Sequence, residues 1–142
     1  MVEIICTMEE RFPAPVETVW NLVTDLDHWQ WRSDLKGLTI TGPDTFTEHG
    51  RDGFSTRFTI TCRKANALWE FTLENENLTG TWRGEFRAVE DGTRVTFTER
   101  IQPRKWWMRL FARRYLQSQQ RRYFEDLQRT LVNRAPDRKS VV

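Results

Sequence analysis

Glu99 is the residue of this chain most clearly placed to do chemistry. Val95, Phe97, Glu99 and Ile101 alternate with polar neighbours, so they share one face of a strand and the carboxylate lies on an otherwise apolar wall. A carboxyl in that setting has a raised pKa unless it is paired, and a raised pKa suits a general acid or base. A rim position, or an ion pair with an arginine, is the structural alternative. Glu10 has the same parity on the first strand, close to its end, and carries the same ambiguity. Gln117, Gln120 and Tyr123 form a polar patch midway along the last predicted helix, where they would touch a ligand or cavity water or simply mark an imperfect apolar stripe. His28 and His49, the only histidines, sit at a predicted helix start and near a hairpin turn. Neither has a partner motif, which argues against a His-based metal site or triad. Cys6 and Cys62 lack metal-ligand spacing and lie on the apolar parity of their strands, as buried free thiols do. The chain has no Gly-rich phosphate loop and no nucleophile elbow. The residues therefore point to no cofactor.

The elements that must hold these groups come in an informative order. Val2, Ile4, Cys6, Met8 and Phe12 alternate as a first strand, closed by Pro13 and Pro15. Pro15 opens a short helix with Val16, Val19, Trp20 and Val23 on one side. Asp25 to Asp27 breaks it, and a second short helix is expected over about His28 to Leu35, rich in tryptophan. Strands then follow one another. Leu38 and Ile40 come first, then a short segment at Thr45 to His49, then Phe54, Phe58, Ile60 and Cys62 on one face. Trp69, Phe71 and Leu73 come next, followed by Leu78, Gly80, Trp82, Gly84 and Phe86, and last by the strand of Glu99. These are the spacings of an antiparallel meander with one face solvated. From Arg104 to about Arg134 there is neither glycine nor proline, so one helix of about 45 Å is expected across the sheet. This order suggests a curved sheet wrapped around a helix, an arrangement that encloses a pocket.

Phe58, Ile60, Trp69, Phe71, Trp82, Phe86 and Phe97 would form the pocket's apolar wall. Gly80 and Gly84 interrupt that wall. Their missing side chains either leave volume for a ligand or let the sheet curl. A second candidate surface lies at the start of the long helix. Trp106, Trp107, Leu110 and Phe111 interleave with Arg109, Arg113 and Arg114, a pattern that suits either a membrane interface or a packed pocket mouth.

Composition sets the frame. The chain has 142 residues, 38% hydrophobic content, seven tryptophans and nine phenylalanines. This suffices for one aromatic-rich core over residues 1–134, with a flexible tail at 135–142. No stretch approaches a membrane span, and the N-terminus has no signal-peptide pattern, so a soluble, cytoplasmic protein is expected. The net charge of +2 is uneven, with 11 basic and 17 acidic side chains up to residue 102 but 11 basic and 3 acidic after it. A basic final helix serves an anionic partner or rests on the acidic body. The predicted outer sheet face mixes Arg57, Arg63, Arg83 and Arg87 with Glu70, Glu74 and Glu85, which is no footprint for nucleic acid.

Several segments together resemble a known family. Ala14-Pro15-Val16-Glu17-Thr18-Val19-Trp20, Thr24-Asp25-Leu26-Asp27-His28-Trp29 with Trp31-Arg32, and the late hairpin Glu90-Asp91-Gly92-Thr93-Arg94-Val95-Thr96 are similar in order and spacing to the START-like superfamily. That group includes the birch-pollen-allergen-like proteins and the polyketide cyclase/dehydrase family, and the resemblance spans about residues 2–133. It implies an α+β helix-grip fold, in which an antiparallel sheet of about six or seven strands curves around the long C-terminal helix, with two short helices after the first strand. It also implies an apolar cavity for a small hydrophobic molecule such as a lipid, polyketide or aromatic metabolite. It carries over no catalytic residue. Asp25 and Trp31 match its pattern as structural positions. The function expected is non-covalent binding of such a molecule by the wall residues, Gly84, Glu99, Gln117, Gln120 and Tyr123. The alternatives are a cyclase/dehydrase-like enzyme working through Glu99, or a surface-interaction protein using its basic helix. Oligomeric state is left open.

Overall fold

The computed structural model describes residues 3–140, and side chains through residue 133. Strand β1 (Ile4–Phe12) is followed by helix α1 (Val16–Thr24) and then by β2 (Leu35–Ile40), β3 (Thr45–Gly50), β4 (Ser55–Lys64), β5 (Leu68–Glu74), β6 (Leu78–Val89) and β7 (Gly92–Pro103). A 3-10 turn (Trp106–Leu110) leads into α2 (Ala112–Ser140). The seven strands form one antiparallel sheet in the order β1-β7-β6-β5-β4-β3-β2. β2 to β7 form a meander, and β1 returns to pair with β7. The expected helix-grip arrangement is what the chain adopts.

Register explains the core. Phe46 pairs with Phe58 across β3 and β4, and Phe71 pairs with Trp82 across β5 and β6. Their rings form one continuous chain across the sheet. Phe46 stacks on Phe58 at 4.8 Å, Phe58 meets Phe71 edge-on at 4.9 Å, and Phe71 stacks on Trp82 at 4.7 Å. Trp82 lies 4.4 Å from Phe97, which stacks on Phe124 of α2 at 4.6 Å. Each such pair adds about 0.5–1.5 kcal/mol beyond burial. α1 covers the other end, where Trp20 packs edge-on against Phe86 at 5.0 Å.

Two helix expectations need correction. Residues 25–34 form turns and not a second helix. Asp25 holds the backbone N–H of Asp27 and the ring of His28, ending α1 with side-chain bonds that compete with a helical ladder. Further on, Ser33 is fixed by α2: its backbone N–H and its hydroxyl both donate to Asp126 Oδ2, at 2.7 and 2.8 Å, and Arg122 donates to its carbonyl and hydroxyl oxygens at 2.8 Å. The last helix begins at Ala112 and not at Arg104, because a 3-10 turn with exposed side chains precedes it. It continues to Ser140, past the expected end near Arg134. The expected tail at 135–142 overlaps that helix, Val141 and Val142 lie outside the described residues, and so does Val2 at the other end. No helix among the described residues is long and apolar enough to cross a membrane.

The buried stripe of α2 runs through Ala112, Leu116, Gln120, Phe124, Leu127 and Leu131. The stripe therefore persists at midspan, with Gln120 as its polar member.

Candidate functional site

A cavity of about 320 Å³ lies between the inner sheet face and α2. Phe46, Phe58, Trp69, Phe71, Trp82 and Phe97 supply its aromatic wall, and Leu116, Gln120 and Tyr123 its helical side. The mouth is framed by Asp52 and Phe54 of the β3–β4 connection, Asn75 and Asn77 of the β5–β6 turn, and Trp107, Met108 and Phe111. Tyr115 spans part of it, its hydroxyl donating to Asp52 Oδ2 at 3.1 Å. Partial burial of its hydroxyl at the mouth, reinforced by that carboxylate, pushes the Tyr115 phenol up to about 12 although the ring is half exposed.

Of the residues expected in the site, Phe58, Trp69, Phe71, Trp82, Phe97, Glu99, Gln120 and Tyr123 line this cavity. Ile60, Gly84, Phe86 and Gln117 do not. A β-bulge between Ile60 and Cys62 turns that strand, leaving Ile60 packed at the core's edge. Phe86 is buried against Trp20. Gln117 points to solvent, one position off the buried stripe. Gly84 leaves no room for a ligand, because a Cβ there would fall 2.6 Å from Cη2 of Trp82. A Cβ at Gly80 would collide with the Arg100 carbonyl and Ile101. Both glycines thus serve close packing and curvature, with the indole of Trp82 lying over Gly84. Glu10 is exposed.

Glu99 projects from β7 between buried Phe97 and Ile101, and burial pushes its carboxyl up to about 7. The Gln120 amide and the Arg32 guanidinium draw it down in part, and Glu48 raises it. At neutral pH it can give or take a proton.

A charged cluster on the cavity wall was not anticipated. Arg32 donates to Asp34 through Nε (3.3 Å) and Nη2 (2.8 Å), and to Glu48 through Nη1 (2.5 Å) and Nη2 (3.3 Å). Its guanidinium carbon also stands 4.8 Å from the centre of the Tyr123 ring. Burial alone would lower the arginine's pKa, but Glu48 and Asp34 outweigh it and hold the cation more firmly than usual. Burial likewise keeps the Tyr123 phenol protonated. Parity could have found Glu48, since Phe46 and Glu48 share one face of β3. Arg32 and Asp34 sit in and just after turns, where no periodicity reports direction.

Two buried polar atoms in the wall have no protein partner. The indole N–H of Trp69 donates to nothing, and Oε1 of Gln120 accepts from nothing, although Gln120 Nε2 donates to the Cys6 carbonyl at 3.1 Å. Trp69 is 4% exposed and Gln120 3%. Leaving such groups unpaired costs about 1–3 kcal/mol each. Both residues line the cavity, with the unpaired atoms themselves shut in behind its surface. Among the described residues, no group of three or more His, Cys, Asp or Glu is arranged to hold a metal ion.

Comparison with known proteins agrees with this geometry. Residues 4–132 match the family model described as polyketide cyclase / dehydrase and lipid transport. A START superfamily protein of Mycobacterium smegmatis superposes with a TM-score of 0.79 at 14% identity, over 92% of this chain and 97% of that one. A protein of Rhizobium leguminosarum gives 0.74 at 17% identity over 93% and 96%, and Ara h 8.0201 gives 0.74 at 10% identity over 93% and 99%. At these identities the likeness is one of fold. No curated protein matches the chain in sequence.

Proposed function

The chain belongs to the polyketide cyclase / dehydrase and lipid transport family, and on that premise we propose that it binds a small, uncharged, ring-bearing molecule non-covalently in the cavity between sheet and α2. The observation that carries this reading is the wall itself: a continuous aromatic surface around about 320 Å³, interrupted by a few convergent polar groups. That volume falls at the small end of the range typical of ligand pockets. With a small shift of either side chain on binding, the Trp69 N–H would meet a ligand acceptor and Gln120 Oε1 a ligand donor. Each contact would satisfy a group that folding leaves unpaired, so polarity at those two points adds affinity where it would otherwise cost desolvation.

A plugged cavity tests the reading. Ala112 carries the smallest side chain of the helical wall. Ala112→Phe is expected to lower affinity for N-phenylnaphthylamine, an uncharged aromatic probe with a single N–H, by at least about tenfold, the equivalent of about 1.4 kcal/mol. Fluorescence titration reads this directly. Unchanged affinity would move the binding site elsewhere.

A second reading draws on Glu99. A carboxyl near neutrality inside a cavity walled by aromatic rings suits acid–base catalysis on a folded substrate, as in a cyclase or dehydratase. Glu99→Gln would then abolish turnover while leaving affinity intact. A binding protein would lose nothing of function by the same change.

A further inference from the structure

We propose that the segment at the cavity mouth docks on an anionic lipid surface. Trp106, Leu110 and Phe111 are 73, 74 and 61% exposed, and Trp107 and Tyr115 are exposed beside them. Single apolar residues at a surface are ordinary, but a contiguous group of large ones marks an interaction site. The surrounding charge indicates the occupant. Between Glu99 and Glu125 the chain has no acidic residue, while Arg104, Lys105, Arg109, Arg113 and Arg114 flank the exposed rings. Arg104 pairs with Glu74, Lys105 donates to Asn77, and Arg113 donates to the Ile5 carbonyl. Arg109 and Arg114 have no ion-pair partner among the described residues.

An apolar tip whose own segment carries only cations, with the nearby Asp52 and Glu74 held by Tyr115 and Arg104, is complementary to an anionic bilayer. The rings leave water for the headgroup boundary while the guanidinium groups meet phosphate. The mouth is also continuous with the interior, since Trp107 and Phe111 belong to the exposed group and, with Met108, line the cavity. An apolar molecule could pass between bilayer and cavity there without crossing water. Docking itself requires only this surface and does not depend on the ligand reading above.

Co-sedimentation tests it, using phosphatidylcholine vesicles with and without phosphatidylglycerol. The wild-type chain is expected to pellet with the anionic vesicles at least about tenfold more strongly than with the neutral ones, and to lose binding as salt rises. Trp106→Ser combined with Leu110→Ser is expected to weaken binding about a hundredfold, about tenfold for each apolar side chain that no longer leaves water. Both side chains are mostly exposed, and an unchanged melting temperature would verify that the variant folds. Arg109→Glu with Arg114→Glu provides a second variant that alters only charge, with a loss of at least about tenfold expected. Equal binding by wild type and both variants, or no binding to anionic vesicles, overturns the proposal. So does self-association in the absence of lipid that the serine variant abolishes while vesicles bind nothing, because a second copy of the chain would then cover the patch.

Discussion

Replacing Arg32 with alanine will destabilise the protein by about 3–5 kcal/mol, the cost of removing one partner from a buried charged cluster. Among the described residues the side chain is the only cation in direct contact with both Asp34 and Glu48, and all three groups keep less than a fifth of their surface. Its fork makes two bonds to each carboxylate, so the planar guanidinium fits a site that a lysine ammonium would fill with fewer bonds. Truncation would leave Asp34 and Glu48 without their counter-ion and Glu48 acting unopposed on Glu99. It would also uncover the Tyr123 ring and drive the Glu99 carboxyl further upward, since Arg32 now draws it down. Urea unfolding of the variant at neutral pH measures the effect, with Arg32→Lys expected to fall between wild type and alanine. A loss below about 1 kcal/mol would mean that the cluster behaves as a solvated surface pair.

Glu99→Gln will do the opposite, and only at high pH. Burial raises the folded-state carboxyl from an ordinary 4.5 to about 7. The protonated form is thus the one the fold favours. Its contribution is fully present below about pH 4.5 and lost as pH rises through about 7. At pH 8 the wild-type chain must keep an ionised carboxylate on an aromatic wall or unfold to release it. Glutamine has no proton to lose, so the variant should be more stable than wild type by about 2–3 kcal/mol at pH 8, and the two should converge near pH 4. Thermal melts at the two pH values decide it. Parallel profiles for wild type and variant would mean that water reaches Glu99 freely, and its burial would no longer be tenable as the cause of the raised pKa.

Alternation made the sheet readable from β5 to β7, because a two-residue period with one face buried leaves little choice of register, whereas the bulge in β4 carried Ile60 and Cys62 off the expected inner face. It also placed Trp69, Phe71, Trp82, Phe97 and Glu99 on the inner face, where they stand. The region between α1 and β2 was not legible for a different reason. Its conformation is set by Ser33 and Arg32, whose partners lie 93 and 16 residues away at Asp126 and Glu48. The start of the last helix misled in the same way. Arg104 to Leu110 has helical composition, yet Arg104 N–H donates to the Asn77 carbonyl and Lys105 to its side chain, which holds the chain against the β5–β6 turn before α2 begins. Gly84 shows the limit of reading volume from sequence. A missing side chain signals space, but only the fold reveals that the ring of Trp82 takes it.

Native mass spectrometry of the protein purified from its expression host, with extraction and identification of whatever it carries, tests the central claim most directly. The predicted result is a bound apolar, ring-bearing molecule of neutral charge on the wild-type chain that is missing from Ala112→Phe. The same adduct on both chains, or none on either, would contradict a ligand held between the aromatic wall and α2.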